Sequence, residues 1–302
     1  MFDTVIVGGG VAGLTAALFA ARSGLATMVL VSDLPGGHLA NIDRVEDFPG
    51  YLEGIAGYDL GPVIQEQASR AGAEFQMAEA LGLAPAGDGW ALATSDGEVQ
   101  GKTVIVAAGS RPRQLGVPGE ERFLGKGVSH CASCDGPLLH GGIATVVGGG
   151  DSAFQEAITL AEFAAEVHIL HRSERPAAQE VYQQRVREQT RILQHANIEV
   201  EEVLGAEAVE SVKYRETATG RTVVLNTAGV FIYIGLEPNT AFLRGALRLD
   251  DSGHIPTDVL MRTDRAGVFA AGDIRSDSAS QAVSAAGDGA TAAIAAYRFL
   301  RG

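Results

Sequence analysis

The stretch Thr4-Val5-Ile6-Val7-Gly8-Gly9-Gly10-Val11-Ala12-Gly13 decides the fold of this chain. Its first four residues read as a strand. Gly8-x-Gly10-x-x-Gly13 then opens a helix with Leu14, Leu18 and Ala21 on one stripe, and a second strand runs from Thr27 to Val31. Strand, glycine turn, helix and strand make one βαβ unit. In that unit the first glycine allows a tight turn, the second lets backbone approach a pyrophosphate, and the third lets helix and strand pack closely. The helix N-terminus adds positive dipole for phosphates.

The plan recurs 140 residues later, from Gly8 to Gly148. The strand Ile143–Val147 leads to Gly148-Gly149-Gly150-Asp151-Ser152-Ala153, a helix, and the strand Glu166–Leu170. Alanine in the last fingerprint position is an accepted variant. An offset of this length is too long for a solenoid and suits two duplicated domains. Each copy carries a ribbon-like stretch, Trp90–Thr94 in the first and Ile198–Leu225 in the second, and a further strand. Those strands are Thr103–Val106, leading to Gly109, and Val230–Ile234. The tail, with a short strand ending in Gly272-Asp273 and an alanine-rich helix from about Gln281, belongs to the first copy. The expected fold is therefore α/β, with two Rossmann-like dinucleotide-binding domains, one inserted into the other. The sequence assigns 1–115 and 241–302 to the outer domain and 116–240 to the inner one, with crossings near Gly116–Gly119 and Gly235–Asn239, both rich in Gly and Pro.

Composition narrows the class. A length of 302 residues suits about two domains, and 46% hydrophobic residues suffice for sizeable cores. The net charge of −14 argues against nucleic acid, which requires a basic stripe. No basic and apolar leader opens the sequence and no apolar run is long enough to span a membrane, so the expectation is a cytoplasmic enzyme. The only cysteines, Cys131 and Cys134, form one Cys-x-x-Cys pair. In that compartment such a pair means redox chemistry or metal more often than a framework disulfide. Zinc needs four ligands, and no second pair has the spacing to supply them, so no metal site is expected.

The candidate chemistry follows. A dithiol, a flavin and a nicotinamide each carry two electrons, so a Cys-x-x-Cys between two nucleotide fingerprints reads as a two-electron relay ending in a disulfide. Asp135 adjoins the pair and is a candidate to give or take a thiol proton, or simply to cap a turn. Asp33, just past the second strand, is a candidate for ribose hydroxyls or an exposed turn residue. Where an NAD site wants an acid, about 20 residues past the fingerprint, the second copy has His171-Arg172, with Arg175 close by. An arginine there suits a 2′-phosphate, since a guanidinium pairs with phosphate as a fork. Asp273 is placed to hold ribityl or ribose hydroxyls, and Gln281 to donate to a ring edge. Capping is the alternative for both.

These residues resemble the low-molecular-weight thioredoxin reductases, within the flavoproteins that carry two dinucleotide-binding domains. The resemblance covers nearly the whole chain. It rests on Gly8 to Gly13, Gly36-Gly37-His38-Leu39, Val45 to Gly50, Cys131 to Gly136, Gly148 to Ala153, and Ala270-Ala271-Gly272-Asp273. It implies FAD on the outer domain, held by Gly8, Gly10, Gly13, Gly109, Gly272 and Asp273, with Gly37, His38 and Asp47 near the flavin ring. It implies NADPH, with NADH as the other donor to consider, on the inner domain through Gly148, Gly150, Ser152, Arg172 and Arg175. Cys134 would face the flavin, Cys131 would attack the disulfide of a thioredoxin-like protein or small molecule, and Asp135 would be the general acid. A homodimer is the family norm. Nucleic acid and membrane are not expected partners.

The chain departs from the family pattern in places. The usual arginines after His171-Arg172 are replaced by Ser173 and Ala177, and the usual arginine before Gln281 by Ser280. His38 and Asp47 stand where the family usually has Gln and Asn. The eroded arginine cluster keeps other readings open. One is a flavin dithiol oxidase that uses oxygen and needs no nicotinamide, and another is a reductase fed by ferredoxin or NADH. A third is a flavin-binding redox sensor, against which the intact Cys-x-x-Cys-Asp argues.

Overall fold

The computed structural model describes residues 1–32 and 34–302, which form two compact units. Unit 1 comprises Met1–Arg111 and Glu237–Gly302, and unit 2 is the continuous segment Pro112–Leu236. The chain begins with β1 (Phe2–Val7), turns at the first glycine run into α1 (Val11–Arg22), and continues as β2 (Thr27–Val31), parallel to β1. Then come α2 (Gly57–Arg70) and β3 (Glu74–Met77), parallel to β2. β4 (Ala80–Ala86), β5 (Gly89–Thr94) and β6 (Gly97–Val106) follow as an antiparallel meander. The sequence suggests a small antiparallel ribbon around Trp90, and the structure forms it from β4, β5 and the start of β6. β6 is ten residues long, and its first half pairs with β5 while its second half pairs in parallel with β1. The ribbon is therefore an edge of the main sheet.

The chain crosses to unit 2 through β7 (Ser110–Pro112). A short β8 (Val128–Ser129) precedes α3 (Ala132–Asp135), which carries the cysteine pair. The second βαβ unit is β9 (Ile143–Val147), α4 (Asp151–Leu160) and β10 (Glu166–His171). Next are α5 (Glu180–Glu188) and β11 (Ile192–Ala196). An antiparallel layer follows, made of β12 (Ile198–Leu204), β13 (Ser211–Glu216) and β14 (Thr222–Asn226), and then β15 (Gly229–Ile232). The five-stranded sheet is all parallel, ordered β11-β10-β9-β15-β8. Its strands alternate between two cores. Val146, Ile169 and Phe231 face the helices with Phe154, Ala157 and Leu160, and Val147, Leu170 and Ile232 face β12–β14 with Val203 and Val212.

β16 (Leu236–Pro238) returns the chain to unit 1, which ends with β17 (Val268–Ala270) and α6 (Ala282–Arg301). β17 pairs with β6, completing a sheet ordered β3-β2-β1-β6-β5-β4 with β17 beside β6. Here too the strands alternate. Ile6, Val29 and Ile105 face helices α1 and α6, and Val5, Val7, Leu30 and Val104 face Trp90, Leu92, Leu243 and Ile255. The α1–α6 seam is almost entirely alanine, from Ala16, Ala17 and Ala20 to Ala292, Ala293 and Ala296, so the helices approach closely. At Gly289 the approach leaves no room for a side chain, since a Cβ there would lie 2.1 Å from the Ala12 carbonyl oxygen. No helix of the described residues is long and apolar enough to cross a membrane.

Candidate functional site

Each unit holds its glycine turn at the point where the strand order reverses. In unit 1 that point lies between β1 and β6, and in unit 2 between β9 and β15. Open α/β sheets bind ligands in the crevice at such points. Gly8, with φ of +114°, ends β1, and a Cβ on it would lie 2.2 Å from the Ala107 carbonyl oxygen just after β6. Gly13 is equally closed, because its Cβ would lie 1.9 Å from the Gly8 carbonyl oxygen. Gly10 differs. Its φ of −76° suits any residue, and a Cβ there meets nothing within 4 Å. The protein's own atoms do not demand this glycine. Gly10 is also the N-cap of α1 and offers no side-chain cap, so the first amides of the helix stay available. Open space in front of free amides fits a pyrophosphate.

Several other predicted residues gather around this turn. The Gly36 amide donates to the Gly9 carbonyl at 2.8 Å, and a Cβ on Gly37 would lie 3.3 Å from the Gly10 Cα. His38 Nε2 lies 2.6 Å from the Ser110 carbonyl oxygen. A carbonyl only accepts, so Nε2 carries the hydrogen. Gly109 accepts from the Asn239 amide at 3.0 Å, which fixes the end of the β6 segment. Gly272 has φ of +77°, and a Cβ there would lie 2.9 Å from that of Ala12, so the turn presenting Asp273 rests on the first turn of α1. Burial raises the Asp273 carboxyl above its ordinary pKa, against a hydrogen bond from the Ser278 hydroxyl at 3.1 Å. Gln281 precedes α6 as its N-cap residue without a side-chain cap. Asp47 is exposed, on a segment anchored to Val11 and Leu14 through Val45 and Phe48 rather than by its own carboxyl. Asp33 lies outside the described residues.

Unit 2 repeats the cradle. A Cβ on Gly148 would lie 2.1 Å from the Tyr233 carbonyl oxygen just after β15, and Gly150 faces open space with nothing within 4 Å. Gly150 too begins its helix without a side-chain cap. A Cβ on Gly149 would lie 3.1 Å from that of His171, which brings the end of β10 beside the turn. Arg172, Arg175 and Ser152 are exposed there. The loop beyond folds back on the fingerprint: the Ala177 and Ala178 amides donate to the Gly149 carbonyl at 2.7 and 3.0 Å. Gln179 donates from both its amide and its side chain to Asp151, each at 2.7 Å. Burial lowers His171 below the ordinary histidine range.

The cysteines are joined as a Cys131–Cys134 disulfide. Cys131 is the N-cap of α3, and its sulfur accepts from the Cys134 amide at 3.3 Å, with the Ser133 hydroxyl 3.6 Å away. Amide donors at a helix start favour a thiolate. Cys131 and Asp135 are half-buried and Cys134 is exposed. The His130 ring donates through Nδ1 to the Ile232 carbonyl at 3.0 Å, which ties the loop before the pair to the end of β15. The sequence reading overlooks Tyr233 and Glu156, which lie behind α3. Burial raises the phenol of Tyr233 first, and the Glu156 and Asp135 charges raise it further. It also overlooks Arg275 and Asp288, which are joined in a nearly buried ion pair. A weak signal for Asp288 exists: it is an acid between two glycines in an alanine-rich helix.

Comparison with known proteins agrees with this arrangement. The sequence profile of the pyridine nucleotide-disulphide oxidoreductases matches residues 2–289. The thioredoxin reductase of Treponema pallidum is 38% identical, over 99% of this chain and 97% of its own. That of Streptomyces clavuligerus is 40% identical, over 99% and 94%. The crystal structure of the Lactococcus lactis thioredoxin reductase superposes with a TM-score of 0.97 at 38% identity, covering 100% of this chain and 99% of that one. The chain belongs to the pyridine nucleotide-disulphide oxidoreductases, in the thioredoxin reductase family, and is an oxidoreductase.

Proposed function

We propose that the chain reduces the disulfide of a thioredoxin-like protein at the expense of NADPH, with FAD held on unit 1. The disulfide carries this reading, since Cys131–Cys134 is formed on a short helix of unit 2 with an acid at its end. Gly8, Gly10 and Gly13 would hold the FAD pyrophosphate against the α1 amides, and Asp273 would accept hydroxyls of the ribityl chain. Gly148, Gly150 and Ser152 would do the same for the nicotinamide dinucleotide, with Arg172 and Arg175 on the 2′-phosphate. When bound, these two groups supply the electron pair.

The chain's own residues carry out the sulfur chemistry. The disulfide takes up two electrons and two protons and becomes two thiols. The Cys131 thiolate, favoured by the Cys134 amide, attacks the partner's disulfide, forms a mixed disulfide and expels one partner sulfur. Cys134 then attacks the Cys131 sulfur, which restores the 131–134 bond and releases the second partner sulfur. Asp135 protonates the departing thiolate.

A second reading draws on the loop at Ala177–Gln179, which folds onto the fingerprint with an alanine where the family has an arginine. It makes the chain a reductase fed by ferredoxin or NADH, or a dithiol oxidase. Anaerobic stopped-flow mixing of the yellow protein with NADPH and NADH decides between them. Fast bleaching by NADPH supports the proposal. Fast bleaching by NADH alone, or slow bleaching by both nucleotides in protein that dithiols bleach quickly, overturns it in favour of the second reading.

A further inference from the structure

Asp288 and Arg275 are charged groups taken out of water together. Their side chains retain only 10% and 18% exposure. Arg275 Nε donates to Asp288 Oδ2 at 2.5 Å and Nη2 to Oδ1 at 3.2 Å, a two-pronged fork. The same Oδ2 accepts from the Gly272 amide at 3.1 Å, and Arg275 Nη1 donates to the Ser276 carbonyl at 3.2 Å. The Arg275 amide closes the turn onto the Gly272 carbonyl at 3.1 Å. Burying an ion pair is a poor route to stability, because desolvation consumes most of the attraction and apolar residues of similar size do as well. This pair therefore calls for another reason. Its position supplies one. Gly289, next to Asp288, seats α6 on Ala12, and Gly272 seats the clamped turn on the same residue. The turn so fixed presents Asp273.

We propose that Arg275 and Asp288 are positioning residues for the flavin, a charge-neutral fork that holds the Gly272–Ile274 turn on the first fingerprint helix and leaves neither of its two charges unpaired near Asp273. This rests on the reading that Asp273 holds FAD. The two partners act on Asp273 in opposite directions: Asp288 raises its pKa and Arg275 lowers it. The other groups acting on it are the Ser278 hydroxyl and His38, both of which lower it, while burial raises it. With the fork intact, the opposing fields offset each other at Asp273. Removing one partner leaves the other's field bare.

The test is acid release of FAD from the full-length holoprotein, followed by the rise of free-flavin fluorescence as pH is lowered. Far-UV circular dichroism at each pH excludes unfolding. Arg275→Gln leaves the Asp288 charge bare, so Asp273 protonates earlier and the release midpoint moves up. Asp288→Asn, nearly isosteric, leaves Arg275 bare and moves the midpoint down. The double variant should release near the wild-type midpoint. A purely structural clamp moves both single variants in the same direction, and that result overturns the inference. If Arg275→Gln does not fold, Arg275→Lys keeps the charge without the fork. Its midpoint should stay near that of the wild type while Asp288→Asn moves down, and an unmoved Asp288→Asn overturns the inference. Wild-type protein that takes up no FAD, or an Asp273→Asn variant that keeps the wild-type acid release, instead refutes the flavin role of Asp273 itself.

Discussion

Gly10→Ala should weaken flavin binding about a hundredfold or more and leave the flavin-free fold untouched. The magnitudes follow from what surrounds each glycine. At Gly10 a Cβ meets nothing within 4 Å, and φ of −76° is comfortable for alanine. Replacing glycine there removes freedom from the unfolded chain, worth about 0.4–1 kcal/mol in favour of folding. Alanine is the poorer helix N-cap by a similar amount. The two effects offset to within about 0.5 kcal/mol. At Gly13, by contrast, the added carbon would lie 1.9 Å from the Gly8 carbonyl oxygen. Helix and strand must move apart, at a cost of about 3 kcal/mol or more. For the ligand the ranking reverses. A methyl in the open space at Gly10 displaces amide–phosphate contacts worth about 1.5–3 kcal/mol each. The loss of two such contacts weakens FAD by about a hundredfold or more. The assays are thermal unfolding of flavin-stripped protein and titration with FAD by fluorescence quenching. Gly10→Ala that binds FAD like the wild type would refute the fit of the pyrophosphate to that space. Flavin-free Gly10→Ala melting as low as Gly13→Ala would refute the claim that the space is empty.

The remaining predictions concern the dithiol, the donor and pH. Cys134→Ser should trap a covalent adduct with an oxidised thioredoxin on a non-reducing gel, while Cys131→Ser traps none. The reverse pattern would make the more exposed Cys134 the attacking residue. Arg172→Ala should raise KM for NADPH about tenfold or more, from the loss of one charge-assisted contact, and leave NADH unchanged; equal effects reject its role at the 2′-phosphate. Burial and the neighbouring His168 hold His195 below its ordinary 6.5, and burial does the same for His171. The unfolded chain therefore binds more protons as pH falls below 6.5, so the stability these histidines contribute is complete above that pH and lost on acidification. The slope of Tm against pH should flatten on the acid side in His195→Gln; an unchanged slope refutes this origin.

Both fingerprints were legible because their glycines are demanded locally. The requirement at Gly8 or Gly148 comes from one strand-end carbonyl, and the helix that follows is set by the next few residues. The strands around them were legible from apolar runs, as at Thr27–Val31, which forms exactly one buried strand of the sheet. The ribbon at Trp90 was legible from its two turns, but its merger with the main sheet was not. Its turn signals are local, but β6 continues past Gly101 into the parallel sheet, and nothing in the short pattern shows where a strand changes partners. The Arg275–Asp288 fork was hidden for a similar reason. Its two residues lie 13 apart in sequence and meet only because α6 returns along α1. Tyr233 looked like the end of a strand. Its carbonyl turns out to back the second cradle, while its ring reaches the acids behind the disulfide.

Comparison of the two cradles shows which parts of the device the ligand needs. In both, the first glycine lacks a Cβ because the neighbouring strand ends there, with Ala107 in one unit and Tyr233 in the other. In both, the second glycine faces open space. They part at the third position. A Cβ at Gly13 would strike the Gly8 carbonyl, whereas Ala153 carries one, fully buried, 3.1 Å from where a Cβ on Gly148 would sit. Helix α4 thus accommodates a methyl that α1 cannot. The third residue answers to helix packing, which differs between the units, and the first answers to the sheet. Only the second glycine is unexplained by either protein surface, and it is glycine in both. Its reason must lie in what occupies the space before it, which is why the two cradles, built on different cores, converge on an empty position at the same step of the turn.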